Sequence, residues 1–349
     1  MIADDRRTAS QGKRKVSDRE TRSRHRNLES RDGGRRDRAK LAAAELKETM
    51  PRYAVHAMVW VGGWSQADAQ RAIESAARIG YDRPEIPILD PETVGLAHTR
   101  ALLEMAKLKA AGSLGLSADA DVSNSDLAVV RRGGAILGKA LHAVAALGGD
   151  YLGGVIYSAL RKYDRVASPA GRANAVAVIR DLAREARKSN IDIGLEAVNR
   201  YETNLLNTGA QVLRFIDEVG EPNVFVHLDT FHMNIEEADC VGAIELCADR
   251  LGYFHVNENH RGYLGAGMIA FAPSFRALRR IGYDRTIGFE AFSSSVAGGA
   301  LAGMVAAWRD IWSDSDDIAA HALAFMRREF ADAGRADFLM SHSQRRRGD

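Results

Sequence analysis

At 349 residues and 46% apolar content the chain is long enough to bury a large core, as one large domain or two ordinary ones. No run approaches the ~20 apolar residues of a membrane span, and no apolar stretch of a secretory signal follows the charged start, so the chain reads as cytoplasmic. Its two cysteines, Cys240 and Cys247, rule out a disulfide scaffold and a CxxC metal site, so any metal has to be held by His and carboxylate.

The formal net charge of +2 is unevenly spread: residues 1–48 carry 15 Lys and Arg against 9 Asp and Glu, which leaves the remainder mildly acidic. Residues 1–49 contain almost no aliphatic or aromatic side chains to repay the entropy of ordering, and they predict a disordered basic extension. Without aromatic residues to stack on bases or an amphipathic period, the extension reads as a solvated tail, or as an upstream addition to a protein beginning at Met50, rather than a nucleic-acid arm.

From residue 53 onward, eight short apolar runs of strand length recur: 53–60, 83–89, 109–116, 151–157, 191–198, 224–229, 252–257 and 286–292. Stretches with helical spacing of Ala, Leu and Ile separate them, among them "SQADAQRAIESAARIG", "GRANAVAVIRDLAREARKSN" and "GAQVLRFIDEVG". Continuous apolar runs alternating with helices predict parallel strands in βαβ units, and eight units match a (β/α)8 TIM barrel over residues 50–330. Pro84 and Pro87 flank Glu85 in the second run and argue against a central strand there. The segment from residue 303 is long enough for more than one closing helix, and residues 331–349 are expected to form a C-terminal tail.

In such a barrel the C-terminal strand ends converge on one face. Strand five ends in Glu196, strand six in Asp229, strand seven carries His255 and strand eight Glu290. Each alone has an ordinary structural explanation, such as a helix cap, a core histidine or an ion-paired carboxylate. Together they place three carboxylates side by side among apolar strands, which repulsion and desolvation forbid unless a cation sits among them. Oxygen-rich ligation with one imidazole suits Mn, Mg or Co better than structural Zn. Glu202, His232 and Arg261 lie on the following loops, where substrate contacts are expected. Asn199 and Glu258 share these loops without an evident role.

The stretches "LEAVNRYETNLLNT", "HLDTFHMNIEEAD", "HVNENHRGYLGAG" and "GFEAFSS" resemble the D-tagatose 3-epimerase group, which includes D-psicose (D-allulose) and L-ribulose 3-epimerases, among the xylose-isomerase-like barrels. The resemblance implies a divalent metal, Mn first and Co or Mg next, on Glu196, Asp229, His255 and Glu290. It further implies a free ketohexose or ketopentose held by Glu202, His232 and Arg261, and a homodimer or homotetramer. Asn257 departs from the group's glycine at that position, where a side chain is expected to crowd the sugar. Pro84 beside Glu85 and the charged "RKYDR" after strand four also depart from the pattern.

Inverting a carbinol next to a ketone requires proton removal on one face and delivery on the other, which assigns Glu196 and Glu290 as the acid/base pair through an enediolate. An aldose–ketose isomerase or sugar dehydratase on the same barrel is the nearest alternative. A metal-dependent nuclease wants more strand-end histidines, and a non-catalytic sugar-binding protein would not need every ligand position filled. The "SSSVAGGALAG" stretch after strand eight offers Ser and Gly where barrels often bind phosphate, which leaves a phosphorylated substrate as an option.

Overall fold

The computed structural model describes residues 50–88 and 90–345. The expected disordered extension, residues 1–49, lies outside the described residues, as do residues 346–349.

Eight parallel strands close into a barrel in sequence order: β1 Arg52–His56, β2 Arg83–Pro87, β3 Ala111–Ser113, β4 Tyr151–Gly153, β5 Asp192–Glu196, β6 Val224–Asp229, β7 Leu251–Val256 and β8 Thr286–Phe289. Closure is made by β1 on β8, with Tyr53 opposite Ile287 and Val55 opposite Phe289. Crossover helices include α1 Gln66–Ile79, α2 Leu96–Ala106, α3 Leu127–Ala146, α4 Pro169–Arg187 and α5 Gly209–Val219. Their ends follow from local chemistry. Ser65 and Asp68 form a capping box on α1, Thr208 and Gln211 another on α5, and Gly80 and Gly220 stop these helices in the left-handed conformation.

Six of the strands are shorter than their apolar runs, because the chain leaves the ladder early to build loops over the C-terminal face, whereas β6 and β7 match theirs in length. The runs also conceal an alternation. Val55, Ile86, Ile193, Leu195, Val226, Leu228, Phe254 and Phe289 join the large core between sheet and helices, each worth about 1.5–3 kcal/mol when fully buried. Ala54, Ala111, Tyr151 and Tyr253 form a separate small cluster within the barrel. Tyr151 stacks on Tyr253 with ring centroids 4.6 Å apart, and glycines make the room: a Cβ on Gly194 would overlap the Tyr151 hydroxyl, and one on Gly288 would stand 2.9 Å from His255 and Tyr253.

Despite its prolines, β2 is a full barrel strand, paired to β1 and β3. Donors just outside the strand extend the ladder: Asp82 N–H donates to the Tyr53 carbonyl and Ile88 N–H to the Ser113 carbonyl, both at 2.8 Å. At the other end, α6 Thr230–Glu236, α7 Cys240–Leu246, α8 Phe271–Arg280 and α9 Ser294–Met304 follow the later strands. The last helix, α10, runs Ser315–Arg345. A tail beginning at 331 is therefore replaced by helix to Arg345. The buried stripe of Ile318, Ala322, Met326, Phe330 and Ala333 continues past that point with no proline to interrupt it.

Candidate active site

The expected residues meet at the C-terminal mouth. Glu196 and Asp229 end β5 and β6, His255 sits one residue before the end of β7, and Glu290 directly follows β8. The β6–β7 register sets Asp229 opposite His255. Asp229, His255 and Glu290 offer ligand atoms within 4.8 Å of one another, and so do Glu196, Asp229 and His232. His255 Nδ1 lies 3.7 Å from Glu196 Oε1 and 3.9 Å from Asp229 Oδ2.

Two further residues, Glu85 and His56, which the sequence reading did not single out, complete the floor from inward positions of otherwise apolar runs. Glu85 Oε2 accepts from His255 Nε2 at 2.8 Å, with both side chains 1% exposed. His56 Nε2 bonds Ser113 Oγ at 2.9 Å and lies 3.9 Å from Glu85. With the Nε2 proton committed to Glu85, His255 keeps a buried Nδ1 that has no hydrogen-bond partner.

The loop residues close the other side. Arg261 Nη1 donates to Glu290 Oε2 at 2.6 Å, more distantly to Asp229 Oδ2 at 3.4 Å, and its guanidinium carbon lies 3.8 Å from the Phe231 ring centroid. Arg261 adopts φ +62°, a left-handed backbone. Glu258 explains how the loop holds that shape, since its carboxylate accepts from the N–H groups of Asn259, Gly265 and Ile269. Asn199 likewise has a role: its backbone N–H and side-chain amide both donate to His232 Nδ1, at 3.1 and 2.9 Å, and the amide also holds Glu202 at 2.8 Å. His232 is thereby fixed as the tautomer with a proton on Nε2, 3.9 Å from Glu196 and from Glu202.

Asn257 does not crowd the cleft. It is fully buried behind the carboxylates, where Thr230 and Asn257 exchange backbone–hydroxyl bonds and its amide donates to Asp229 Oδ2 at 2.7 Å. The serines after β8 are also engaged internally: Ser293 bonds Ser295 and the Ile311 N–H, and Ser294 donates to the Asp310 carboxylate at 2.6 Å.

Electrostatics at this mouth are unbalanced. Glu85, Glu196, Glu202, Asp229 and Glu290 face one guanidinium and the His255 imidazole. Burial pushes the Glu196 carboxyl up to about 8, and burial also raises Glu202 and Asp229. Burial opposes ionisation of Glu290 too, yet Arg261 and His255 hold it below the ordinary carboxylate value. Glu85 is held low against its burial by His255, which in turn is raised well above the usual imidazole value by Glu85. Burial pushes His232 well below it. Above these groups opens a cleft, with Met58, Leu114, Val155, Leu160 and Met304 facing the polar side chains.

Residues 73–329 match the xylose isomerase-like TIM barrel family. The chain is 50% identical over 278 residues to the L-ribulose 3-epimerase of Methylomonas sp. (strain DH-1), covering 80% of this chain and 97% of the relative. It is 43% identical to the ketose 3-epimerase of Arthrobacter globiformis, covering 78% and 94%. The crystal structure of the Methylomonas sp. D-allulose 3-epimerase in complex with D-allulose superposes with a TM-score of 0.79 at 49% identity, over 80% of this chain and 98% of that one. With its closed eight-stranded barrel and its carboxylate-rich mouth, this chain belongs to the ketose 3-epimerase family of xylose isomerase-like TIM barrels and is a carbohydrate epimerase.

Proposed function

We propose that this enzyme inverts C3 of a free ketohexose or ketopentose, with a divalent metal on Glu196, Asp229, His255 and Glu290 and with Glu196 and Glu290 as the two proton-transfer groups. The observation that carries the reading is the buried, unpartnered Nδ1 of His255 among carboxylates that outnumber the cations. A neutral imidazole lone pair held in place by a carboxylate on its other nitrogen is the usual donor arrangement of a metal-binding histidine. The oxygen-rich set suits Mn first, with Co or Mg as alternatives.

When bound, the metal would act as a Lewis acid on the ketone and its neighbouring hydroxyl. The chain's own residues supply the rest. In the protein alone burial raises Glu196 while Arg261 and His255 hold Glu290 low, so the two carboxyl groups sit in unlike surroundings. One carboxylate takes the C3 proton, the other returns one to the opposite face, and the roles exchange for the reverse reaction. His232 presents its Nε2–H and Arg261 its guanidinium to oxygens that gain negative charge in the enediolate, and Glu202 accepts from a sugar hydroxyl. Phe231 and Phe292 flank Arg261 at 3.8 and 5.0 Å, which keeps the guanidinium dry and aimed.

A free sugar is favoured over a phosphorylated one because the serines after β8 are already bonded to one another and to Asp310, whose carboxylate would repel a phosphate. The two free cysteines accord with a reducing cytoplasm, and assembly as a homodimer or homotetramer completes the reading. Incubating free ketohexoses and ketopentoses with enzyme and Mn in deuterated water tests it: deuterium enters at C3 of both epimers. Label at C1 instead would mean an aldose–ketose isomerase, and loss of water a dehydratase.

A further inference from the structure

We propose a second binding site, for a phosphate-type oxyanion, at the opposite, N-terminal mouth of the barrel. There the strand beginnings surround a cavity of about 230 Å³. Four cations line it, Arg52, Arg83, Lys109 and Arg285, against two carboxylates, Asp150 and Asp192. Three of the cations share Asp150: Arg83 Nη2 at 2.7 Å on one oxygen, Lys109 Nζ at 3.0 Å and Arg52 Nη1 at 3.3 Å on the other. Arg285 pairs with Asp192 at 3.0 Å. Two positive charges are left over.

Exposure sorts these groups. Arg52, Lys109 and Arg285 have side chains 37–53% exposed, so water screens their mutual repulsion. Arg83 is 2% exposed, and its buried Nε–H has no partner. A buried guanidinium donor left unpaired carries a desolvation cost that a ligand relieves. An oxyanion in the cavity answers this defect. It accepts from the guanidinium edge that Asp150 leaves open, and it balances the surplus charge. A doubly charged phosphate or phosphate monoester matches a surplus of two better than a carboxylate does.

The test uses the full chain in its metal-loaded form. Inorganic phosphate is titrated by calorimetry into wild type and into the Arg52→Ala/Lys109→Ala double variant, whose altered side chains are exposed and remote from the ketose cleft. Wild type is expected to bind saturably, and the double variant at least about tenfold more weakly. Arg83→Met, where it folds, is expected to lose binding outright. Thermal unfolding at matched ionic strength gives a second readout: phosphate raises wild-type Tm more than chloride does, and the double variant loses that excess. General exclusion of phosphate from protein surfaces acts on both proteins alike, so the difference reports the site. Ribose 5-phosphate in a parallel arm identifies the source, since tighter binding of the ester assigns a phosphorylated metabolite and equal or weaker binding assigns free phosphate. Equal phosphate affinity in wild type and double variant, or no saturation of wild type by about 20 mM, overturns the proposal.

Discussion

Glu85→Gln isolates the contribution of a residue that touches neither metal nor sugar in the proposed reaction. In the wild type a carboxylate oxygen accepts from His255 Nε2 at 2.8 Å, and both side chains are 1% exposed, so water screens little of the interaction. A hydrogen bond to a charged group contributes about 1.5–3 kcal/mol, and at 1.4 kcal/mol per decade that is roughly 10–150-fold in an equilibrium constant. Gln fills the same volume but carries no charge. It also offers an N–H that can donate to Nε2 and so move the ring proton to Nδ1, the atom proposed to bind metal. The expected result is a Kd for Mn raised about 10–100-fold, within the range for partners of metal-bound histidines. Turnover falls in proportion at limiting Mn and recovers at saturating Mn. The assay is a calorimetric Mn titration of chelator-stripped protein, with circular dichroism to establish that the variant is folded. A stripped Glu85→Gln protein that rebinds Mn with wild-type affinity would refute the role given to Glu85 and, with it, the choice of Nδ1 as the ligand atom.

Proton competition gives a pH dependence whose sign is fixed. Glu196 is raised to about 8 by burial and His255 is raised by Glu85, so both hold protons in the metal-free fold at neutral pH and must release them to bind a cation; apparent Mn affinity is expected to rise at least about tenfold per unit between pH 6 and 8, and a flat profile over that window would contradict the ligand set. Asn199→Ala removes the amide bonds to His232 and Glu202, so kcat/KM for the ketose should drop about tenfold, the equivalent of about 1.4 kcal/mol. Metal affinity should not change, and an equal loss in Mn binding would move Asn199 to the metal side. Gly194→Ala drives a methyl into the Tyr151 hydroxyl inside the barrel, and overpacking of this kind costs about 1–3 kcal/mol, to be read as a lowered urea midpoint; an unchanged midpoint would show that Tyr151 can turn aside.

The barrel was legible because eight apolar runs of strand length alternate with stretches of helical spacing. Two of those helices also carry clear punctuation, Ser65 with Asp68 and Thr208 with Gln211 at their starts and Gly80 and Gly220 at their stops. The four strand-end residues were legible for a related reason: a carboxylate or imidazole at the end of an apolar run stands out. Glu85 and His56 did not, because a continuous apolar run reads as a strand buried on both faces. In a barrel those two faces differ, one meeting helices and the other meeting the axis, and only closure reveals that Glu85 points at His255. Pro84 and Pro87 deepened the concealment by making β2 look like loop. Asn257 shows the converse limit, since its identity suggested a clash with the sugar while its direction is set by Thr230 and Asp229 on the neighbouring strand.

The inner face of the barrel also shows why its two mouths can hold opposite charge. Carboxylates gather at the C-terminal end and guanidinium groups at the N-terminal end, and these opposite surpluses would neutralise each other if the side chains met. What keeps them apart is the layer between: Tyr151 stacked on Tyr253, His227 against Tyr253 at 4.8 Å and against His255 at 4.3 Å. His227 is fully enclosed, with burial pushing it well below the ordinary imidazole value, so this layer carries no charge at neutral pH. A neutral aromatic plug, roomy only because Gly194 and Gly288 lack side chains, separates the proposed cation site from the proposed anion site. The strength of each site then depends on the other's partners being out of reach. Shrinking the plug, as Tyr151→Ala would, should let water or the Arg83 guanidinium approach Glu85 and weaken Mn binding from the far side of the barrel. Unaltered Mn affinity in a folded Tyr151→Ala protein would show that distance alone, without the aromatic layer, suffices to keep the two ends independent.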